Sequence, residues 1–250
     1  MRNKLTDELA VCGMNAVLAV GEYHPLTINR LFLREDRLNS FTGICKQLAE
    51  RKRPYKLVED EELERICKSV HHQGVVAMIE EPVIEPLTHD DLDLWTAEGK
   101  TGVLLHSVGN DHNLGAIARA AAFFDASYIV LNEKDAEARL TTSAYRIAEG
   151  GLEHLTVRKI SNTSAFLKDA AKKLMTIGTD TRARQRIGDL SNIIKNRRGI
   201  VLVLGNEETG LPKEVKDQCS CLLRIPGTGN IDSLNVSQAA ALFLNAIYNG

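Results

Sequence analysis

Apolar positions along this chain recur at two spacings, one helical and one strand-like, and their alternation predicts the class of fold. In the first third, residues 13–20 read as a helix of small side chains and Ile28–Leu33 as a strand. Residues 40–53 read as a helix, with Phe41, Ile44, Cys45 and Leu48 recurring on one face. A short strand is expected over 56–58, then a helix over 60–70 carrying Leu63, Ile66 and Cys67 on one side. The turn His72-Gln73-Gly74 leads into a closing strand over 75–79. The period is lost over 80–93, where Pro82 and Pro86 stand among acidic side chains, so residues 86–98 are expected to be a linker. Strands and helices then alternate again. Strands are expected over 102–106, 128–131, 174–178, 200–204 and 222–225, and helices over 113–124, 163–173 and 238–244. Every position of Ile200–Leu204 is apolar, as in a strand covered on both faces. The fold expected is α/β in two parts. A small α/β domain with a partly parallel sheet spans 1–85, and a doubly wound, mostly parallel sheet spans 99–250.

Composition narrows the function classes. The chain has 250 residues, 44% hydrophobic and 26% charged, with a net charge of −2, all ordinary for a globular protein. Acidic and basic residues balance in both parts, which excludes a protein-wide basic surface; any RNA contact has to come from local patches. The five cysteines include no Cys-x-x-Cys pair and are expected to be reduced, hence a cytoplasmic location. His71-His72 have no partners at ligand spacing, so no metal is expected. The apolar run 9–20 is preceded by Asp7 and Glu8 and interrupted by Asn15, unlike an export signal. No apolar run approaches the ~20 residues of a membrane helix, so no membrane partner is expected.

Ligands of doubly wound sheets sit beyond the carboxyl ends of the strands, and three unusual loops fall there. The first is Asn113-Leu114-Gly115-Ala116-Ile117-Ala118-Arg119-Ala120. Asn113 is a candidate N-cap, and Ile117, Ala120, Ala121 and Phe124 form one buried stripe. At about 100° per residue Arg119 points roughly 200° away from Ile117. Gly115 and Ala116 clear space beside its guanidinium, which suits a phosphate or ribose; an ordinary surface arginine fits the same pattern. The second loop is Gly205-Asn206-Glu207-Glu208-Thr209-Gly210-Leu211-Pro212. Its carboxylates are placed either to cap a helix beginning near Pro212 or to hold a ribose hydroxyl or an arginine. The third, 225–244, runs from a strand through Pro226, Gly227, Gly229, Asn230 and Asp232 to Ser233-Leu234-Asn235 and an Ala/Leu-rich helix. Gly227 and Gly229 permit close backbone approach by an adenine or ribose, while a plain strand-to-helix connection with a good cap fits as well.

In this order the three loops resemble the motifs N-x-G-x-x-x-R-x-A, G-x-E-x-x-G-L and I-P-M-x-G-x-x-x-S-L-N-V-S-x-A of the SpoU (TrmH-type) RNA 2′-O-ribose methyltransferases. Departures are Gly227, where the family carries Met, and Glu208, often Gly. The resemblance covers 99–250. Residues 1–85, through 13–17 and 72–75, are similar to the ribosomal-protein-like RNA-binding module that precedes the catalytic domain in family members.

The resemblance implies a C-terminal deep trefoil knot whose loops bind S-adenosyl-L-methionine. Gly205, Ile225, Leu234, Gly229 and Thr179 are the implied cofactor contacts. It also implies a homodimer whose subunits complete each other's sites, and methyl transfer to a ribose 2′-hydroxyl in structured RNA, ribosomal RNA ahead of transfer RNA. Arg119, Asn113, Glu207, Ser233 and Asn235 are the implied catalytic set. An arginine titrates above about 12, so neutralising one near pH 7 costs roughly 7 kcal/mol; Arg119 is therefore expected to position a phosphate rather than act as base. Arg182, Arg184 and Arg186 with Lys195, Arg197 and Arg198, and separately Arg51-Lys52-Arg53, are the candidate RNA patches. Two other classes compete: a catalytically silent RNA-binding or assembly protein of the same fold, and a nucleotide-dependent enzyme acting on a small molecule. The second lacks both G-x-G-x-x-G and G-K-[ST].

Overall fold

A five-stranded sheet forms the first of two units in the computed structural model, which describes residues 2–3, 7–134, 139–195 and 199–250. Its strands are β1 (Arg2–Asn3), β2 (Glu8–Cys12), β3 (Ile28–Leu33), β4 (Tyr55–Leu57) and β5 (Val75–Glu80), in the order β1-β2-β5-β3-β4. The β3–β4 pair is parallel and the other pairs antiparallel. β2 escapes the sequence pattern because every residue in it is buried, so it lacks the alternation of a half-exposed strand. Between the strands lie α1 (Met14–Tyr23), α2 (Leu38–Glu50) and α3 (Asp60–Cys67). The expected stripe Phe41, Ile44, Cys45 and Leu48 is the buried face of α2. Burying a side chain of this size contributes about 1.5–3 kcal/mol, which fixes the face that α2 turns inward.

The second unit begins where a linker was expected. Residues 86–98 instead carry a helix, α4 (His89–Glu98). Thr88 Oγ1 accepts from Asp91 N at 3.1 Å, and Asp91 Oδ2 accepts from Thr88 N at 2.9 Å, a reciprocal cap. Trp95 from this helix is fully buried, stacks on Tyr128 at 4.6 Å and donates from Nε1 to Lys100 O at 2.9 Å. A Cβ on Gly102 would stand 2.2 Å from the indole, so the glycine is what lets the ring lie across the sheet. The acidic composition of the segment hid a cap and a core residue.

After α4 come β6 (Thr101–Leu105), α5 (Asp111–Phe123) and β7 (Ala126–Asn132). The chain then passes to the first unit, where α6 (Thr142–Ala148) packs its buried Ala144, Tyr145 and Ala148. By packing, Ile84–Arg139 with Leu155–Gly250 make the second unit, and Leu140–His154 groups with the first. There Asn15 Nδ2 donates to Glu149 Oε2 at 3.3 Å, and His24 Nε2 lies 3.1 Å from Glu153 Oε2. Burial pushes the Glu153 carboxyl up to about 7.

The second unit resumes with β8 (Thr156–Ile160), α7 (Thr163–Ala170), β9 (Met175–Thr179), β10 (Gln185–Arg186), α8 (Leu190–Ile194), β11 (Ile200–Leu204), α9 (Lys213–Lys216), β12 (Cys221–Arg224) and α10 (Val236–Tyr248). Its seven strands pair in parallel in the order β10-β12-β9-β11-β6-β7-β8. β11 is central and buried at all five positions, as its sequence predicts. Trp95, Leu104, Tyr128, Val130, Phe166, Val201, Val203 and Val215 belong to one hydrophobic core cluster of this unit. All seven strands point their carboxyl ends the same way, which gathers the loops after β6, β9, β11 and β12. Among the described residues no helix is long and apolar enough to cross a membrane.

Candidate active site at the carboxyl ends of the strands

The loop after β6 enters α5 through Asn110, whose side chain accepts from His112 N at 2.8 Å and caps the helix. Asn113, expected as the cap, sits one turn inside and is 8% exposed. Its amide is spent on distant partners instead. Nδ2 donates to Glu207 Oε1, and Oδ1 accepts from Asn235 Nδ2 at 3.1 Å. Asn235 in turn caps α10, its Oδ1 accepting from Ser237 N at 2.8 Å. One buried amide therefore links the loops after β6, β11 and β12. Glu207 does not cap α9, whose N-cap is Pro212; it receives Asn113.

Asn206 organises the middle loop, a role its sequence context did not announce. Its Oδ1 accepts from Glu208 N at 2.9 Å and Thr209 N at 3.1 Å, and its Nδ2 donates to Ser107 O at 2.9 Å. Gly205 is required by the loop itself. A Cβ there would lie 2.5 Å from the carbonyl carbon of Gly210, which closes the turn against Asn206. Thr179 ends β9 with its hydroxyl donating to Val203 O at 3.2 Å. Next to it Asp180 is partly buried, which raises its pKa, but Lys216 Nζ at 2.7 Å and Arg182 N at 3.0 Å outweigh that and hold the carboxyl below its ordinary value.

Arg119 is exposed on α5 while Ile117 is fully buried, the opposition that helical spacing predicts. Ile225 follows β12 and is half-buried; 226–235 is exposed throughout, including Gly229, Ser233 and Leu234. Among the described residues the one hydrogen bond from a backbone N–H of 226–234 is Asn230 N to Thr228 Oγ1 at 3.4 Å. Gly229 has φ +89, and a Cβ on Gly227 meets nothing within 4 Å. Nothing in the structure explains why Gly227 lacks a side chain. A loop with exposed, uncommitted backbone groups and two glycines fits a nucleoside-sized cofactor. Ser233 makes no hydrogen bond among the described residues and is not drawn into the Asn113–Glu207–Asn235 chain.

The basic patches divide. Arg51 donates to Pro25 O and Leu26 O, both at 2.7 Å, so its guanidinium anchors its own unit and is spent. Lys52 and Arg53 are exposed, as are Arg182, Arg184, Arg186 and Lys195; Arg197 and Arg198 lie outside the described residues. Pairing of β10 with β12 sets Arg186 directly beside Arg224, a neighbour the sequence did not suggest. Like charges directly opposite each other on neighbouring strands repel and favour an anion between them.

Comparison with known proteins places these features. Residues 100–245 match the model of the SpoU rRNA Methylase family, and residues 10–83 that of RNA 2'-O ribose methyltransferase substrate binding. A 23S rRNA (guanosine-2'-O-)-methyltransferase of Bordetella pertussis is 31% identical over 244 residues, covering 94% of each chain. An rRNA methyltransferase of Sinorhizobium meliloti superposes with TM-score 0.78 at 23% identity, over 98% of this chain and 88% of that one. A SpoU methyltransferase of Streptomyces viridochromogenes, in complex with AdoMet, superposes with TM-score 0.72 at 20% identity over 97% and 90%. The chain belongs to the SpoU rRNA methylase family and is an S-adenosyl-L-methionine-dependent RNA methyltransferase.

Proposed function

We propose that this family member methylates the ribose 2′-hydroxyl of a guanosine in 23S ribosomal RNA, the reaction named for its Bordetella relative. The observation that carries the reading is the Asn113–Glu207–Asn235 chain, which joins the three motif loops at one end of the sheet. S-adenosyl-L-methionine supplies a methyl group on a sulfonium, already a good leaving group. The protein's share is to align the 2′-oxygen with that methyl and ease the loss of its proton. Gly205, Ile225, Gly229, Leu234 and Thr179 surround the cofactor. Arg119 holds the phosphate beside the target ribose. Asn113 and Asn235 tie the entries of α5 and α10 together, and Ser233 stands in the exposed loop with its hydroxyl available to a ligand.

The remaining assignments rest on particular features. β12 is the last strand in sequence yet lies between β9 and β10, whose connection it must pass, and this supports a knotted C-terminal segment. Phe123 is 80% exposed and Tyr248 62%, an apolar surface on the packed α5–α10 pair. Such a surface supports a homodimer built on these helices, which would bring Arg119 towards a partner's cofactor loop. Arg182, Arg184, Arg186 and Arg224 supply the phosphate contacts that a chain of net charge −2 needs locally. Transfer RNA is the second candidate substrate.

Arg119→Ala tests the assignment: methyl transfer should be lost while calorimetric cofactor affinity stays within about twofold. Lost cofactor affinity with RNA binding intact contradicts it.

A further inference from the structure

A polar cluster beside the motif loops belongs to none of them. His106 follows β6, and its backbone N donates to Leu204 O at 2.9 Å, which places it one strand away from Gly205. Its Nδ1 lies 3.0 Å from Thr163 Oγ1 at the first turn of α7. Thr163 also accepts from Asn132 Nδ2 at 3.1 Å, and Asn132 Oδ1 accepts from Lys134 N at 3.0 Å. Thr163 and Asn132 are 3% and 8% exposed, whereas His106 is half-exposed.

The tautomer follows from counting donors. Lys134 N fixes the Asn132 oxygen, so its NH2 must face Thr163. Thr163 then accepts that bond and has its own proton left to donate. A buried hydroxyl proton without an acceptor costs about 1–3 kcal/mol, and His106 Nδ1 is the acceptor at hand. The ring proton therefore sits on Nε2, which has no hydrogen-bond partner among the described residues. Next in the chain, Ser107 is held at φ +56, an unfavourable conformation for a residue other than glycine, with its carbonyl bound by Asn206. Two networks, one on each side, thus fix the direction of a single outward N–H.

We propose that His106 Nε2–H reads the base of the target nucleotide by donating to its carbonyl oxygen. The assignment rests on the methyltransferase reading above. Cofactor contacts fall on β9, β11 and β12 and Arg119 lies on α5, the helix after β6, so the target nucleotide is set beside the carboxyl ends of β6 and β7, while the arginines of the β10–β12 edge reach phosphates farther along the RNA. Guanine O6 and uracil O4 accept at the position where adenine and cytosine carry amino donors, so a fixed donor selects keto bases. Recognition of a single base in RNA works on an unstacked nucleotide with its edges free. Asn132 and Thr163 are positioning residues for the ring.

The test compares methylation kinetics on two short RNAs that differ only at the mapped target. One carries the natural keto base; the other carries its analogue lacking that oxygen, 2-aminopurine for guanine or 2-pyrimidinone for uracil. Wild type should lose about tenfold or more in kcat/KM on the analogue, the cost of one base contact. His106→Ala should show that loss on the natural RNA and no further loss on the analogue, with cofactor Kd unchanged and only the modest fall in Tm that leaving the Thr163 hydroxyl without its acceptor brings. Thr163→Val should follow it, and Thr163→Ser should restore the discrimination. A wild type that transfers no methyl group to RNA overturns the functional reading and this one together. A His106→Ala protein that keeps the keto preference, or that loses cofactor affinity instead, overturns the base-reading role alone.

Discussion

Asn113→Asp is the substitution that most sharply probes the amide linking the three loops. The change is nearly isosteric. Asn235 Nδ2 still finds an oxygen to donate to, but Glu207 loses its donor and meets a second carboxylate. A hydrogen bond to a charged group contributes about 1.5–3 kcal/mol. Two unit charges about 4 Å apart repel by about 4 kcal/mol at an effective dielectric of 20. Glu207 is exposed, so solvent screens most of that repulsion and relieves part of the lost bond; a net cost of about 2–3 kcal/mol remains. For a chain of this size each kcal/mol is about 2–4 °C in Tm, so the variant should melt about 5–10 °C below wild type near pH 8. Methyl transfer should fall on the order of 100-fold, at about 1.4 kcal/mol per factor of ten. The paired carboxyls share a proton whose pKa is raised above that of either alone. The deficit is therefore complete above the raised value and shrinks as pH falls through it, because one protonated carboxyl again donates to the other. Asn113→Ala lacks the repulsion and should show a smaller, pH-independent deficit. Thermal melts of both variants near pH 5 and pH 8 check this. A variant as stable as wild type near pH 8, or a deficit equal at both pH values, refutes the linkage of the loops through Asn113.

Three further outcomes are expected. Asn235→Ala removes both the α10 cap and the partner of Asn113, costing about 1–2 kcal/mol and weakening cofactor binding as well as transfer; calorimetry giving wild-type affinity contradicts this. Replacing Arg182, Arg184 and Arg186 together by Ala should flatten the salt dependence of RNA binding by roughly 0.7–0.9 for each phosphate no longer neutralised; an unchanged slope clears them of the role. Glu153 titrates near 7 in the folded protein, above its ordinary value of 4.5, so its contribution is complete below pH 4.5 and is lost as pH rises through about 7. Glu153→Gln should therefore raise Tm at pH 8 and leave it nearly unchanged near pH 5, and equal shifts at both pH values count against a buried acid there.

What the sequence shows depends on how far apart the interacting residues lie. Period alone marks the stripe of α2, the all-apolar β11 and the outward Arg119, because each is settled within one or two turns of chain. Asn113 reads equally well as a cap or a ligand residue until its partner 122 residues away is in place. The His106–Thr163 contact spans 57 residues and has no local trace. Arg51 belongs to a charge run, and no pattern shows that its guanidinium turns back onto two carbonyls. α4 is the different case: Thr88 and Asp91 three apart are a legible cap, outweighed by the surrounding prolines and acids. β2 carries no alternation to read, since both its faces are covered.

Nucleoside mass spectrometry after incubating the protein with S-adenosyl-L-methionine and 23S ribosomal RNA decides whether Arg119 and the three joined loops transfer a methyl group to a ribose. One new methyl group is expected on a guanosine ribose 2′-oxygen, resistant to alkaline cleavage and absent with Arg119→Ala. A methyl group on a base, or transfer that persists without Arg119, contradicts this.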